Sequence, residues 1–225
     1  MIDWREVDTV LLDMDGTLLD LRFDNYFWQE YLPQRYAERR KLSLAQAKDE
    51  LFPVMRRIEG TIDWYCVDYW SRVLEIDIVA LKREVDHLIG FRAKAKRFLA
   101  ALAAAGKRRV LVTNAHRASL ALKCERTALH EHVDAMVSAH DFRVPKEDPA
   151  FWQHLQQVEP FDPHRTALLD DTPRVLRSAR GYGIRHLLGV AQPDSTQAAR
   201  EWREFGAVTD FEQIMPALLA GGVSG

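Results

Sequence analysis

The segment Val10-Leu11-Leu12-Asp13-Met14-Asp15-Gly16-Thr17 places two carboxylates, one residue apart, at the end of an apolar run. Side chains i and i+2 of an extended segment point to the same side. Asp13 and Asp15 can therefore converge on one small ligand, while Gly16 lets the backbone turn closely beneath it. Open parallel sheets put their sites at such strand ends. Taken alone, the pentapeptide from Asp13 to Thr17 would also suit an ordinary Asp-Gly turn. The rest of the chain decides between the two.

Five short runs rich in Leu or β-branched residues read as buried parallel strands: 9–14, 109–113, 133–138, 166–170 and 184–190. Helical patterns over 91–105, 115–129, 149–158 and 173–182 alternate with the last four, and Gly106 sits where a helix C′ residue belongs. This alternation predicts an α/β fold, a Rossmann-like doubly wound parallel sheet with right-handed crossovers. Between the first strand and Phe91 no strand is evident, only helical segments beginning near 24–41. Ser43 and Gln46 resemble a capping box, Pro53 is expected to kink or end that helix, and further helices are expected over about 62–74 and from Asp77 to Leu88. The organisation expected is a core made of residues 1–19 and 91–225 with an inserted all-helical domain over 20–90.

The chain has 225 residues, 47% hydrophobic and 28% charged, with a net charge of −2. That balance is ordinary for a soluble globular protein and gives no basic surface for a nucleic acid polymer. No apolar window is long enough to span a membrane, and Asp3, Arg5, Glu6 and Asp8 are unlike a signal peptide, so a cytoplasmic location is expected. No protein partner is indicated. Cys66 and Cys124 lie far apart without a partnering motif, and both read as packing residues rather than a disulfide or a zinc site.

Three further features stand at later strand ends: Thr113-Asn114, Lys146 before Glu147-Asp148-Pro149, and Asp170-Asp171-Thr172. In a parallel sheet all strand C-termini share one edge, so these groups could gather around Asp13 and Asp15. Four carboxylates brought together repel and raise one another's pKa unless cations share the site. Lys146 supplies one cation, and the oxygen-only donor set suggests that Mg²⁺ supplies another. Singly, each feature has a plainer reading: a helix cap for Thr113-Asn114 and for Asp170-Asp171, a surface lysine for Lys146. Their arrival in order at strand ends of one sheet favours a site.

The motif order Asp13-Met14-Asp15-Gly16-Thr17, Thr113, Lys146, Asp170-Asp171 resembles the haloacid dehalogenase-like superfamily of aspartate-nucleophile phosphatases, over essentially the whole chain. Lys146-Glu147-Asp148-Pro149 departs slightly from the family's frequent Lys-Pro-x-Pro, with no catalytic position lost. The resemblance implies that Asp13 is the nucleophile and Asp15 the general acid and base. It also implies that Asp13, Asp15, Thr113, Asn114 and Lys146 hold the phosphoryl group. Mg²⁺ would be held by Asp13, the Asp15 backbone carbonyl and Asp171, with Mn²⁺ or Co²⁺ able to substitute. Asp170 would stand behind them, orienting Lys146 or a metal-bound water. The helical insertion matches the family's cap.

Asp15 and the acidic pair argue against a dehalogenase, which needs neither an acid two residues after the nucleophile nor a metal. A phosphonatase would need a Schiff-base lysine in the insertion, where Lys41, Lys48 and Lys82 read as helix-surface residues. A phosphomutase shares the same motifs. A phosphoaspartate receiver module would carry its acidic pair first and its phosphorylated Asp at the third strand, the reverse of the order here. The insertion is rich in aromatics, with Tyr26, Phe27, Trp28, Tyr31, Tyr36, Trp64, Tyr65, Tyr69 and Trp70, which suit either its own core or the stacking of a purine or flavin ring. Asp63-Trp64-Tyr65-Cys66 and Thr113-Asn114-Ala115-His116 also resemble a purine 5′-nucleotidase of this superfamily acting on GMP and IMP. His116 is expected to cap its helix, with contact to the substrate as the alternative. The alternative substrates are small phosphorylated metabolites: FMN, a sugar phosphate or phosphoglycolate.

Overall fold

In the computed structural model each apolar run becomes a short strand. The strands are β1 Thr9–Leu12, β2 Arg108–Thr113, β3 Ala135–Ser138, β4 Thr166–Asp170 and β5 His186–Val190, joined by a sixth, β6 Ala207–Val208. The structure describes residues 2–215; position 1 and positions 216–225 of the expected core segments lie outside the described residues. All strand pairs are parallel, in the order β3-β2-β1-β4-β5-β6. Leu12 is in register with Leu111 of β2 on one side and Leu169 of β4 on the other. The residues at the ends of these strands, Asp13 just past β1, Thr113-Asn114 at the end of β2 and Asp170-Asp171 at the end of β4, therefore share one edge of the sheet, where the strand order reverses and a crevice opens.

Alternation along β1 divides its side chains between two cores. Val10 and Leu12 join a cluster with Leu111, Leu169, Phe98 and Leu99, and that cluster continues into the inserted helices through Phe23, Phe27 and Trp70. Leu11 joins Val110, Val112 and Leu168 against Phe151, Trp152 and Leu155 on the other face. Truncation of a fully buried leucine such as Leu11 or Leu168 to alanine is of the kind that costs about 2–5 kcal/mol.

The helices that follow β1 are α1 Arg22–Tyr26, continuous through a π-helical turn at Phe27–Tyr31 with α2 Leu32–Arg40, then α3 Leu44–Arg57, α4 Val67–Leu74 and α5 Ile78–Glu84. The capping box at Ser43 and Gln46 is formed in both directions. Pro53 does not end α3, which runs on to Arg57. The expected helix at 62–74 is split, with a short 3₁₀ turn over Ile62–Tyr65 and Cys66 capping α4. The chain crosses between sheet and insertion at two adjacent segments, where Asp20 N–H donates to the Gly90 carbonyl and Arg92 N–H to that of Leu18. Arg92 also donates through its guanidinium to the carbonyls of Thr17, Gln192 and Thr209, which holds that junction to the sheet.

The remaining helices are α6 Ala95–Ala104, α7 Arg117–Thr127, α8 Pro149–Val158 and α9 Pro173–Tyr182. Gly106 stands just past α6 with φ +67°. β1 stops at Leu12, two residues before the expected Met14, because the backbone from Met14 turns: the N–H groups of Leu18 and Leu19 both donate to its carbonyl. β6 was not expected, since two residues are too few to show a period.

Candidate active site

The tight turn after β1 depends on Gly16. Its φ of +86° is in the left-handed region, and a Cβ there would stand 2.8 Å from the Asp171 carboxylate and 2.9 Å from Pro193. The turn carries Asp13 and Asp15 out over the sheet edge. Asp13 is buried, its N–H donating to the Leu169 carbonyl at 3.0 Å.

Lys146 is the hub of the site. Its Nζ donates to Asp13 Oδ1 at 2.6 Å, to Asp170 Oδ2 at 2.7 Å and to the Val112 carbonyl at 3.1 Å. Asn114 holds the lysine's backbone in place, Oδ1 accepting from Lys146 N–H at 2.9 Å while Nδ2 donates to Glu147 at 2.9 Å. The Asn114 side chain is thus committed to the Lys146 loop. Thr113 is buried and its Oγ1 accepts from the Ala115 N–H at 3.0 Å. His116 caps α7, Nδ1 accepting from Ala118 N–H at 3.3 Å.

Asp13, Asp170 and Asp171 each bring a carboxylate oxygen within 4.8 Å of the others. Burial, and then the neighbouring carboxylates against the pull of Lys146, pushes Asp13 and Asp170 up to about 7 and about 6. Burial and Asp13 push Asp171 up to about 7. Asp170 has both oxygens engaged, one by Lys146 and one by the Thr172 N–H at 2.9 Å. Asp13 Oδ2, by contrast, is buried without a hydrogen-bond partner. An orphaned carboxylate oxygen next to a second carboxylate, Asp171, is what a hard divalent cation would satisfy, and the oxygen donors fit Mg²⁺.

Asp15 leads to a second charged cluster. Lys123 Nζ donates to Asp15 Oδ1 at 2.5 Å and to Asp24 Oδ2 at 2.6 Å, and Lys82 Nζ donates to the other Asp24 oxygen at 2.8 Å. Burial raises the Asp15 carboxyl in spite of Lys123. Burial acts on Asp24 in the same sense, but two lysines outweigh it and hold that carboxyl well below the usual range. Lys82 is not the helix-surface residue its sequence position suggests. It is 3% exposed, lies within 4.8–5.2 Å of the ring centres of Phe23, Phe27 and Trp28, and burial lowers its pKa. Its amine is committed to Asp24.

A cavity of about 550 Å³ lies between the sheet edge and the inserted helices. Asp13, Asp15, Thr113, Lys146 and Asp171 line one side; Trp28, Phe52, Trp64, Tyr65, Lys48 and Arg56 line the other. The aromatics of the insertion thus divide. Phe27 and Tyr36 are core, Tyr31 donates to Glu84, and Trp28, Trp64 and Tyr65 border the cavity, as does an edge of the buried Trp70. Tyr65 Oη donates to Glu147 at 2.7 Å, which links the insertion through Glu147 and Asn114 to Lys146.

Residues 7–183 match the family model described as haloacid dehalogenase-like hydrolase. The chain belongs to that family. It is an enzyme of the hydrolase class. This haloacid dehalogenase-like hydrolase is 40% identical over 218 residues to the GMP/IMP nucleotidase YrfG of Escherichia coli (strain K12), covering 97% of this chain and 98% of the relative, and matches the Shigella flexneri protein of the same name equally. Its fold superposes on a HAD phosphatase from Thermococcus onnurineus with a TM-score of 0.78 at 16% identity, covering 96% of this chain and 99% of that one.

The sequence of this hydrolase does not point to Lys123 or Asp24, and it places Lys82 on a helix surface rather than in this cluster. Asp24 and Lys82 lie on helices far apart in sequence, and Lys123 is one of several charges on α7. One signal was available: Lys82 follows Ile78 and Leu81 at i+4 and i+1, on the face of α5 that those residues bury. Among the described residues no helix is long and apolar enough to cross a membrane.

Proposed function

We propose that this hydrolase is a Mg²⁺-dependent phosphomonoesterase acting on purine nucleoside 5′-monophosphates, GMP and IMP among them. The observation that carries the reading is the buried Asp13, one oxygen on Lys146 and the other unpartnered, facing an aromatic-bordered cavity. The full-length similarity to GMP/IMP nucleotidases supports the substrate. Residues 20–90 serve as the cap over a core of residues 1–19 and 91–225, and the enzyme works in the cytoplasm.

Asp13 attacks phosphorus to form an aspartyl-phosphate, which divides a very slow hydrolysis into two easier displacements. Asp15, raised by burial, holds the proton that the leaving 5′-oxygen takes up, and then withdraws a proton from the attacking water. Lys146, Thr113 and the Asn114 amide bind the phosphoryl oxygens, and the N-terminal end of α7 adds its partial positive charge. Asp13, the Asp15 carbonyl and Asp171 would hold Mg²⁺, which would supply positive charge to offset that developing on the phosphoryl oxygens. Asp170 keeps Lys146 placed. Trp28, Trp64 and Tyr65 give the base apolar surface to lie against.

Phosphate release from GMP, IMP, other nucleoside monophosphates, FMN, sugar phosphates and phosphoglycolate, with Mg²⁺ and with EDTA, tests the reading. Metal-dependent release led by GMP or IMP supports it. Release led by another ester would keep the chemistry and reject the purine assignment, and no release from any ester would reject both.

A further inference from the structure

Outside the carboxylate site, Cys66, His116 and His140 converge where the inserted helices meet the sheet edge. Cys66 caps α4 of the insertion, His116 caps α7 two residues after Asn114, and His140 lies in the turn after β3. Each can present one ligand atom, Sγ or a ring nitrogen, such that all three lie within 4.8 Å of one another. The two imidazoles meet edge to face with centres 4.9 Å apart. Nε2 of His140 is buried with no hydrogen-bond partner, a cost that a cation at this point removes.

We propose that Cys66, His116 and His140 form a second metal site, for a zinc-class divalent cation, that ties the inserted helices to the carboxyl edge of the sheet. One sulfur and two imidazole nitrogens suit Zn²⁺ and are a poor set for Mg²⁺, so the two sites of this chain select different ions. The surroundings fit. Cys66 Sγ accepts the Tyr69 N–H at 3.4 Å, a bond that also steadies a thiolate. Burial, with His116 beside it, pushes His140 down to about 4, leaving a neutral ring whose lone pair is free. His116 is the ligand that gives something up: coordination through Nδ1 replaces the 3.3 Å bond from Ala118. A water completes four-coordination, and Asp68, whose Oδ2 is 3.4 Å from His116 Nε2, is placed to orient the ring from its other nitrogen.

Bond lengths to zinc put neighbouring ligand atoms about 3.5 Å apart, so binding needs the three side chains to close by no more than about 1 Å. The Cys66 thiol proton passes to solvent as the sulfur–zinc bond forms, with no change of oxidation state. Because Cys66 belongs to the insertion and both histidines to the sheet edge, the ion bridges the two.

Co²⁺ is the probe for the test, since a thiolate-to-cobalt charge-transfer band requires a sulfur ligand and the aspartate site has none. With Mg²⁺ in excess, the chelator-treated full chain should bind one equivalent of Co²⁺ with that band, and Zn²⁺ should abolish it. Cys66→Ser, which keeps a good helix cap, should lose the band, and His140→Ala should weaken zinc binding by at least about 10-fold. Amide exchange in α4 should slow on zinc addition in the wild type and not in Cys66→Ser. Absence of the band, a band that survives Cys66→Ser and so belongs to Cys124, or unchanged zinc affinity in His140→Ala would overturn the site. A band without any change in α4 exchange would overturn the bridging.

Discussion

Lys123 Nζ lies 2.5 Å from Asp15 Oδ1 and 2.6 Å from Asp24 Oδ2, so the proposed general acid shares a buried cation with a carboxylate of the first inserted helix. Lys82 of α5 extends the chain of contacts across the insertion. The protonation of Asp15 is therefore coupled to residues that the helical segment contributes.

Removing that cation should act on stability and on pH dependence together. Lys123→Met leaves Asp15 and Asp24 buried with less compensation, a change expected to cost about 3–5 kcal/mol in urea unfolding. Lys123 opposes the rise of the Asp15 pKa, so without it that pKa climbs further. The acid stays protonated to higher pH, and the alkaline limb of the kcat/KM profile should move upward. A profile with an unchanged alkaline limb would separate Lys123 from the acid step.

Gly16→Ala should weaken metal binding without replacing a proposed ligand, by crowding one. The new methyl would fall 2.8 Å from the Asp171 carboxylate at a φ of +86°, so either the turn or Asp171 must shift. Backbone strain of about 1–3 kcal/mol and a Mg²⁺ affinity lower by at least about 10-fold are expected, measured by thermal unfolding and by Mg²⁺ titration of activity.

The strand ends are where sequence reading succeeded. β4 spans the predicted 166–170, and the other four expected strands agree within two residues at either end, because buried parallel strands are written as short apolar runs. Asp13, Asp170 and Asp171 stand out since charges at the end of such runs have no packing role, whereas Lys146 lies in the loop between β3 and α8 rather than at a strand end and is legible only through the motif order. Lys123, Lys82 and Asp24 do not stand out, because a charged residue on an amphipathic helix looks the same whether it faces water or a buried partner. The same holds for Cys66, His116 and His140, whose proximity is created by the tertiary fold. Of the two outcomes expected at Pro53, a kink or an end, the end does not occur: the last turn of α3 runs on past the proline.

Mg²⁺ should stabilise the protein more at neutral than at acid pH. The folded carboxyls of Asp13 and Asp171 are raised from 3.8 to about 7, so the metal-free native state holds protons that the unfolded chain releases near pH 4. Their contribution is present below that point and is lost as pH rises towards 7. The depressed His140 acts in the opposite sense over part of this range, but it is common to both arms of the comparison. Mg²⁺ competes with the retained protons, so the Tm gained on adding it should grow from pH 5 to pH 7.5, on the order of a few degrees. A gain that shrinks with rising pH would contradict the assignment of these carboxylates to the metal.

Trp28→Ala and Trp64→Ala should alter selectivity more than chemistry. Each borders the cavity from the inserted helices, away from the carboxylates. KM for GMP should rise by about 10-fold, with little change for a small chromogenic phosphate ester. Equal losses on both substrates would assign these rings to packing.

The central claim is that Asp13 carries the phosphoryl group during turnover. Acid quenching of the Mg²⁺-loaded enzyme in the steady state with GMP, followed by peptide mass analysis, tests it most directly. The account predicts a phosphoryl adduct on the peptide containing Asp13, absent in Asp13→Asn, whose turnover should fall by more than about 1,000-fold with the fold intact. An Asp13→Asn enzyme that still releases phosphate near the wild-type rate, or an adduct at another residue, would contradict it.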